Sequence, residues 1–423
     1  MIDRKNPPAS KAIEKVDFIK AKKHQLSNHI PVFVVNAGEQ ELVRVEFIFS
    51  NVNWDATKPL LASATNTMLN DGTSNLSGAQ IASQIDYYGA FFQTEYAYDH
   101  SSVTLFTLNK HLQSTLPLIK EILTASNFPQ KELDNFINNQ KQKLKVSLER
   151  NDFLAKRKYN QVLFGDTLYG YTAEEEDFDA LQQEDLVKYF AQAYQPKNCT
   201  IMVAGKVGDE VLHTLESLFG SWNSEFPFTP NAFDFKENEE KLYFKDRPNS
   251  IQSAIRIGIP SINRKHEDFP GLQVLNTLLG GYFGSRLMNN IREDKGYTYG
   301  IGSANASLQQ SGYFVIASEV GADVCDATLI EIAKEINILK TDLVPEAELQ
   351  LVKNYLMGSL LGSLENAFSH ADKFKNLYFY GLDYDYYDRY ITTIKNISVA
   401  ELLNLANKYL DFDNFYKVIV GKK

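Results

Sequence analysis

The chain has 423 residues, 44% hydrophobic and 23% charged, which supplies apolar side chain for a sizeable core and length for two to three domains. Its 43 Lys and Arg against 53 Asp and Glu leave a formal charge of −10, which excludes a general nucleic-acid binder, because phosphate contacts need a basic face. No run of 18 apolar residues is present to span a membrane, and two cysteines, Cys199 and Cys325, cannot build a disulfide framework.

The opening stretch MIDRKNPPASKAIEKVDF mixes acids, lysines and prolines where a secretion signal needs an apolar run. With the cysteine usage, it predicts a soluble cytoplasmic protein. Val43, Val45, Phe47 and Phe49 then alternate with Leu42, Arg44, Glu46 and Ile48, the period of a strand with one buried face. A helical segment follows at 59–69. Ser77 and Gln80 cap a further helix with Ile81, Ile85 and Tyr88 facing inward and Gly89 closing it. A strand is predicted at 103–108. Leu186, Phe190 and Tyr194 share one helical face before a strand at 200–203 that runs into Gly205-Lys206.

Residues 221–240, SWNSEFPFTPNAFDFKENEE, carry no helical period and read as a surface linker. Beyond them the order repeats. Ile255, Ile257 and Ile259 alternate 210 positions after Val45, Phe47 and Phe49. A helical segment at 270–279 and a strand at 313–318 follow. Ser398 and Glu401 form a capping box before Leu402, Ala406 and Tyr409, and a strand at 416–420 runs into Gly421-Lys422, with Gly421 standing 216 after Gly205. The pattern predicts an α+β protein of two homologous domains, each a mostly antiparallel sheet packed with helices. The boundaries are an N-terminal domain over 1–220, a linker over 221–243 and a C-terminal domain over 244–423.

Little recognisable chemistry is present. The seven histidines, His24, His29, His100, His111, His213, His266 and His370, include no pair three or four apart, so no helix offers two imidazoles to one ion, and each reads as a surface or turn residue. Both cysteines read as small apolar packing groups. Gly280-Gly281-Tyr282-Phe283-Gly284-Ser285-Arg286 is glycine-rich, but it follows a helix and lacks the P-loop lysine and the dinucleotide glycine spacing. No nucleophile elbow occurs. In the segment 280–303, Ser285 begins a helix with Leu287 and Ile291 facing the core, Arg292 on its last turn and Gly296 ending it; Tyr297-Thr298-Tyr299 then starts a strand. Arg292 and Tyr299 suit the holding of a peptide carbonyl or its oxyanion. They equally suit a helix C-terminus and an ordinary strand.

That segment, with its glycine pair, Ser285-Arg286-Leu287, an Arg-Glu helix end and Gly296-x-x-Tyr299, resembles the second-domain signature of the pitrilysin/insulinase-type zinc peptidases, the inverzincins. The run from Leu61 to Thr73 resembles the family's active-site helix ending in Met-Leu-x-x-Gly-Thr. The resemblance covers essentially the whole chain and implies duplicated halves of a clamshell. Active members carry His-x-x-Glu-His on that helix and a further Glu on a later one. Aligned on Met68-Leu69 and Gly72-Thr73, the ligand positions here hold Ser63 and Thr67 and the base position holds Asn66; the later helix reads Asn138-Asn-Gln-Lys-Gln-Lys143. These side chains cannot replace two imidazoles and two carboxylates around Zn²⁺, so no metal or other cofactor is expected in this chain.

The resemblance therefore implies the non-zinc subunit of a bacterial heterodimeric metallopeptidase. Zinc belongs to a homologous partner, and Arg292 and Tyr299 are supplied in trans to bind the peptide substrate and stabilise its oxyanion. No nucleic acid or membrane is expected as a partner. The alternative is an inactive homologue acting as a peptide-binding or scaffold protein, as the core subunits of the respiratory bc complex do. A substrate-recognising processing-peptidase subunit ranks last, because its long glycine-rich loop is missing.

Overall fold

A computed structural model describes residues 13–422. The part of the opening stretch read above as unlike a secretion signal that falls in 1–12 lies outside the described residues, as does Lys423. The described residues hold eleven strands: β1 (Lys22–Gln25), β2 (Pro31–Asn36), β3 (Leu42–Ser50), β4 (Phe91–Tyr96), β5 (His100–Leu108), β6 (Cys199–Gly205), β7 (Leu242–Asp246), β8 (Gln252–Ser261), β9 (Thr298–Ser307), β10 (Gly312–Gly321) and β11 (Tyr416–Gly421). They form two sheets, of order β1-β2-β6-β3-β5-β4 and β7-β11-β8-β10-β9. Setting β1 aside, the two orders superimpose strand for strand, down to the one parallel pair in each, β2 with β6 and β11 with β7. All other neighbours are antiparallel. The duplicated, mostly antiparallel architecture read from the sequence is borne out.

Each sheet carries its main helical layer on one face. Val43, Val45, Phe47 and Phe49 of β3 meet Ile119, Ile122 and Phe219 in the first core. Ile255 and Ile257 of β8 meet Leu275, Ile336 and Leu402 in the second. The two capping boxes foreseen at Ser77/Gln80 and Ser398/Glu401 both form, each serine hydroxyl accepting the N3 amide proton. Tyr88 departs from expectation: Ile81 and Ile85 are buried, but Tyr88 lies only half inside, against His111. Cys199 and Cys325 are buried, one in each core.

The other face of each sheet is covered by a helix from the opposite half of the chain. Helix Asn151–Phe164 lays Ala155, Tyr159 and Val162 on Ala254, Tyr416 and Val418 of the second sheet. Helix Ala367–Tyr378 lays Ala367, Ala371 and Phe374 on Val35, Ala204 and Phe33 of the first. This exchange corrects the reading of β3 as a strand with one buried face. Arg44, Glu46 and Ile48 are buried as well, because a helix some 320 residues away in sequence covers them. Gly258 shows how close the exchange runs. A Cβ there would collide with the Tyr159 hydroxyl, which donates to the Phe314 carbonyl at 2.6 Å.

His370 and His100 overturn the reading of all seven histidines as surface or turn residues. His370 is buried within the exchanged helix and accepts from the Ile19 amide. His100 opens β5, its ring 3.9 Å from that of Phe379. Burial, helped by the Lys375 charge, holds its imidazole down at about 4, against 6.5 ordinarily. A depressed folded-state value makes the unfolded chain the better proton acceptor, so stability present above about pH 6.5 drains away as pH falls toward 4. A His100→Gln variant is expected to lose less stability than the parent between pH 7 and pH 4.5 in urea unfolding. Parallel losses would show that folding does not depress the His100 imidazole below its unfolded value.

Candidate functional site

Two places bear on chemistry. The first is helix Leu61–Thr67, which carries the three positions matched to a zinc site. Ser63 donates its hydroxyl to the Leu60 carbonyl at 3.0 Å, and Thr67 donates to the Ser63 carbonyl at 2.8 Å, so both are spent on their own helix backbone. Asn66 is buried and its amide donates to the Tyr194 hydroxyl at 3.0 Å and the Ser102 carbonyl at 3.3 Å. A carboxamide turned into the core as a donor is no general base. On helix Gln130–Leu148, Lys141 is held by both Asp179 oxygens at 2.8 and 2.9 Å, so this stretch presents a paired cation rather than a carboxylate. Among the described residues no group of three or more His, Cys, Asp or Glu is placed to hold a metal ion. The donor set does not fit zinc.

The second place is the unit from Tyr282 to Ile301. The chain turns at 282–285, where the Ser285 amide donates to the Tyr282 carbonyl at 3.1 Å and Asn289 braces the Gly284 carbonyl at 3.1 Å. A helix then runs on, widened to π geometry over Met288–Asp294, with Leu287 and Ile291 wholly buried. Such one-turn π segments often mark functional sites. Arg292 lies in this widened turn. The Gly296 amide caps the Arg292 carbonyl and the Tyr297 amide the Ile291 carbonyl, with Gly296 at φ +67° as the left-handed stop. Two residues later the chain enters β9, the outer strand of the second sheet.

Both side chains are accessible. The Arg292 guanidinium is about one-third exposed, 3.4 Å from Glu293 and 4.7 Å from the ring centroid of Phe283. Tyr299 is 91% exposed, and its hydroxyl has no hydrogen-bond partner among the described residues. The exposure arises from a β-bulge: the pairing passes from Ser318↔Ile301 to Val320↔Thr298, so β9 holds one residue more than β10. Electrostatically the site offers a cation and an unengaged phenol donor, a set that can bind carbonyl oxygens but neither activates water nor attacks a bond.

The helix–stop–strand turn foreseen over 285–299 is present, and it delivers Arg292 and Tyr299 to the same end of the second sheet. Sequence reasoning did not find the π widening or the bulge, neither of which has a residue signature of its own. It also passed over Phe283, 65% exposed at the turn between Tyr282 and Ser285. A large aromatic at a turn tip, where Gly, Asn, Asp and Ser usually stand, was the available signal.

A family model described as the peptidase M16 inactive domain matches residues 180–356, a span that includes Arg292 and Tyr299. The chain is 28% identical over 309 residues to the "Uncharacterized zinc protease YmxG" of Bacillus subtilis, covering 71% of this chain and 74% of that one. It is 24% identical over 382 residues to the "Non-peptidase homolog YmxG" of Helicobacter pylori, covering 86% and 84%. Among solved structures, the peptidase M16 inactive domain from Pseudomonas fluorescens superimposes with a TM-score of 0.85 at 21% identity, over 95% of this chain and 98% of that one. A protease from Helicobacter pylori gives 0.86 at 18%, over 96% and 100%. At these identities the two superpositions establish the fold. The resemblance read from the 280–303 segment is borne out.

Proposed function

As an inactive homologue of the pitrilysin/insulinase-type peptidases, family M16, the chain is, we propose, the non-zinc subunit of a two-subunit peptidase, lending Arg292 and Tyr299 to the zinc site of a homologous partner. The observation that carries the reading is the state of Tyr299: a large side chain turned out to solvent, its hydroxyl unengaged by the described residues. A tyrosine placed for folding buries its ring or bonds its hydroxyl. Here neither is done, which leaves the phenol available to a ligand. The substrate is a peptide. Arg292 anchors a backbone carbonyl near the scissile bond, and Tyr299 donates a hydrogen bond to the scissile carbonyl oxygen as negative charge builds there. Metal chemistry is the partner's share, since this chain's own donors do not fit the ion. The proposed location is the cytoplasm, a reading supported by the two buried cysteines.

The test is reconstitution. Cleavage of an unfolded fluorogenic peptide is expected only when this chain is mixed with a zinc-bearing homologue from the same cell, and the chain alone should retain no zinc after dialysis. Zinc-dependent cleavage by the pure chain would overturn the reading. A second reading, an inactive peptide-binding or scaffold protein, draws on the "Non-peptidase homolog" of Helicobacter pylori. It predicts that the mixture's activity is indifferent to Arg292 and Tyr299.

A further inference from the structure

We infer that the hydroxyls of Thr298 and Ser318 are positioning groups, clasping the bulge that turns the Tyr299 phenol away from the main helical layer of the second sheet. The inference rests on the reading of Tyr299 given under Proposed function. Directly paired residues of an antiparallel ladder point to the same face. The pairs Ile316↔Ser303 and Ser318↔Ile301 put Ser303 and Ile301 on the face with the fully buried Ile316, and both are themselves buried. Regular pairing carried two residues further would set Tyr299 opposite Val320, which is 0% exposed, and its ring would enter the core. Thr298 stands opposite Val320 instead. A single inserted residue thus reverses the direction of the phenol, as any one-residue slip in a strand does.

A bulge leaves ladder groups without strand partners, and here two side chains supply them. Thr298 Oγ1 accepts from the Gly300 amide at 3.1 Å and donates to the Glu319 carbonyl at 2.6 Å. Ser318 Oγ lies 3.0 Å from both Thr298 Oγ1 and the Gly300 carbonyl, and donates within that pair. The clasp therefore closes on both sides of Tyr299 in sequence and across to β10. Valine at 298 keeps the shape and strands the Gly300 amide and Glu319 carbonyl, favouring a slide back to regular pairing. Thr298 and Ser318 touch no substrate in this arrangement and act through Tyr299.

The experiment uses the full chain mixed with its zinc-bearing homologue and an unfolded fluorogenic peptide. Thr298→Val is expected to lower kcat about tenfold or more, a part of the roughly 10²–10³ that an oxyanion donor supplies, with KM within about twofold. Thr298→Ser should restore it. In a Tyr299→Phe background Thr298→Val should cost nothing more. In the chain alone, hydrogen exchange of the Gly300 amide should quicken in Thr298→Val. If Tyr299→Phe lowers kcat and Thr298→Val does not, the clasp is refuted and the Arg/Tyr reading stands. An equal loss from Thr298→Val in both backgrounds, or unchanged Gly300 exchange, also refutes the clasp. A silent Tyr299→Phe overturns the Arg/Tyr reading, and the inference falls with it.

Discussion

Tyr299→Phe is expected to cut the turnover of the reconstituted peptidase by roughly 10²–10³, the usual cost of deleting one donor to a developing oxyanion. The substitution removes one oxygen and nothing else. Because the ring is 91% exposed and its hydroxyl meets no described residue, the change breaks no contact in the subunit, so stability and assembly with the partner should be unchanged. This separates the functional effect from a folding effect without further controls. The loss should fall on kcat, because the charge that the phenol meets exists only in the transition state. Arg292→Ala should instead raise KM, since an anchor on a non-reacting carbonyl holds ground state and transition state alike. A Tyr299→Phe mixture as active as the parent would leave the scaffold reading as the surviving one.

What was legible in the sequence follows from the range of the physics involved. The alternation at 42–49 and 255–259, the two capping boxes and the Gly296 stop are local: each is decided within a few residues, and each is found where the pattern put it. That Ser63, Asn66 and Thr67 are neither zinc ligands nor a base was also readable, because it is a matter of side-chain type alone. The second covering of each sheet was not. Nothing near Arg44 or Glu46 announces that Asp372 and Lys375 will lie over them, so an alternating strand with charged outer positions reads as half solvated. The direction of Tyr299 was hidden for a different reason. Period-two reasoning assigns it to the same face as Ile301, and only the pairing register reveals the inserted residue.

The same exchanged helix carries a large expected stability effect. Glu46, on the middle strand of the first sheet, has a side chain only 2% exposed, and Lys375 donates to it at 2.7 Å from above. Its neighbour Arg44 spends its guanidinium on both oxygens of Asp372, at 3.2 and 2.8 Å, and on the Phe368 carbonyl at 3.3 Å, reaching Glu46 only at 3.8 Å. Removal of Lys375 therefore strands a carboxylate in the core with one distant cation. Breaking a buried pair from one side typically costs 3–5 kcal/mol; with Arg44 still near, Lys375→Met should sit at the lower end, about 3 kcal/mol. Because attraction and desolvation nearly cancel in an intact pair, Glu46→Leu combined with Lys375→Met should recover most of that loss. Urea unfolding of parent, single and double variants measures the difference. A single variant within about 1 kcal/mol of the parent would mean that water or a shifted Arg44 already satisfies Glu46, and that apolar packing by Phe374 and Tyr378 holds the exchanged helix without help from the ion pair.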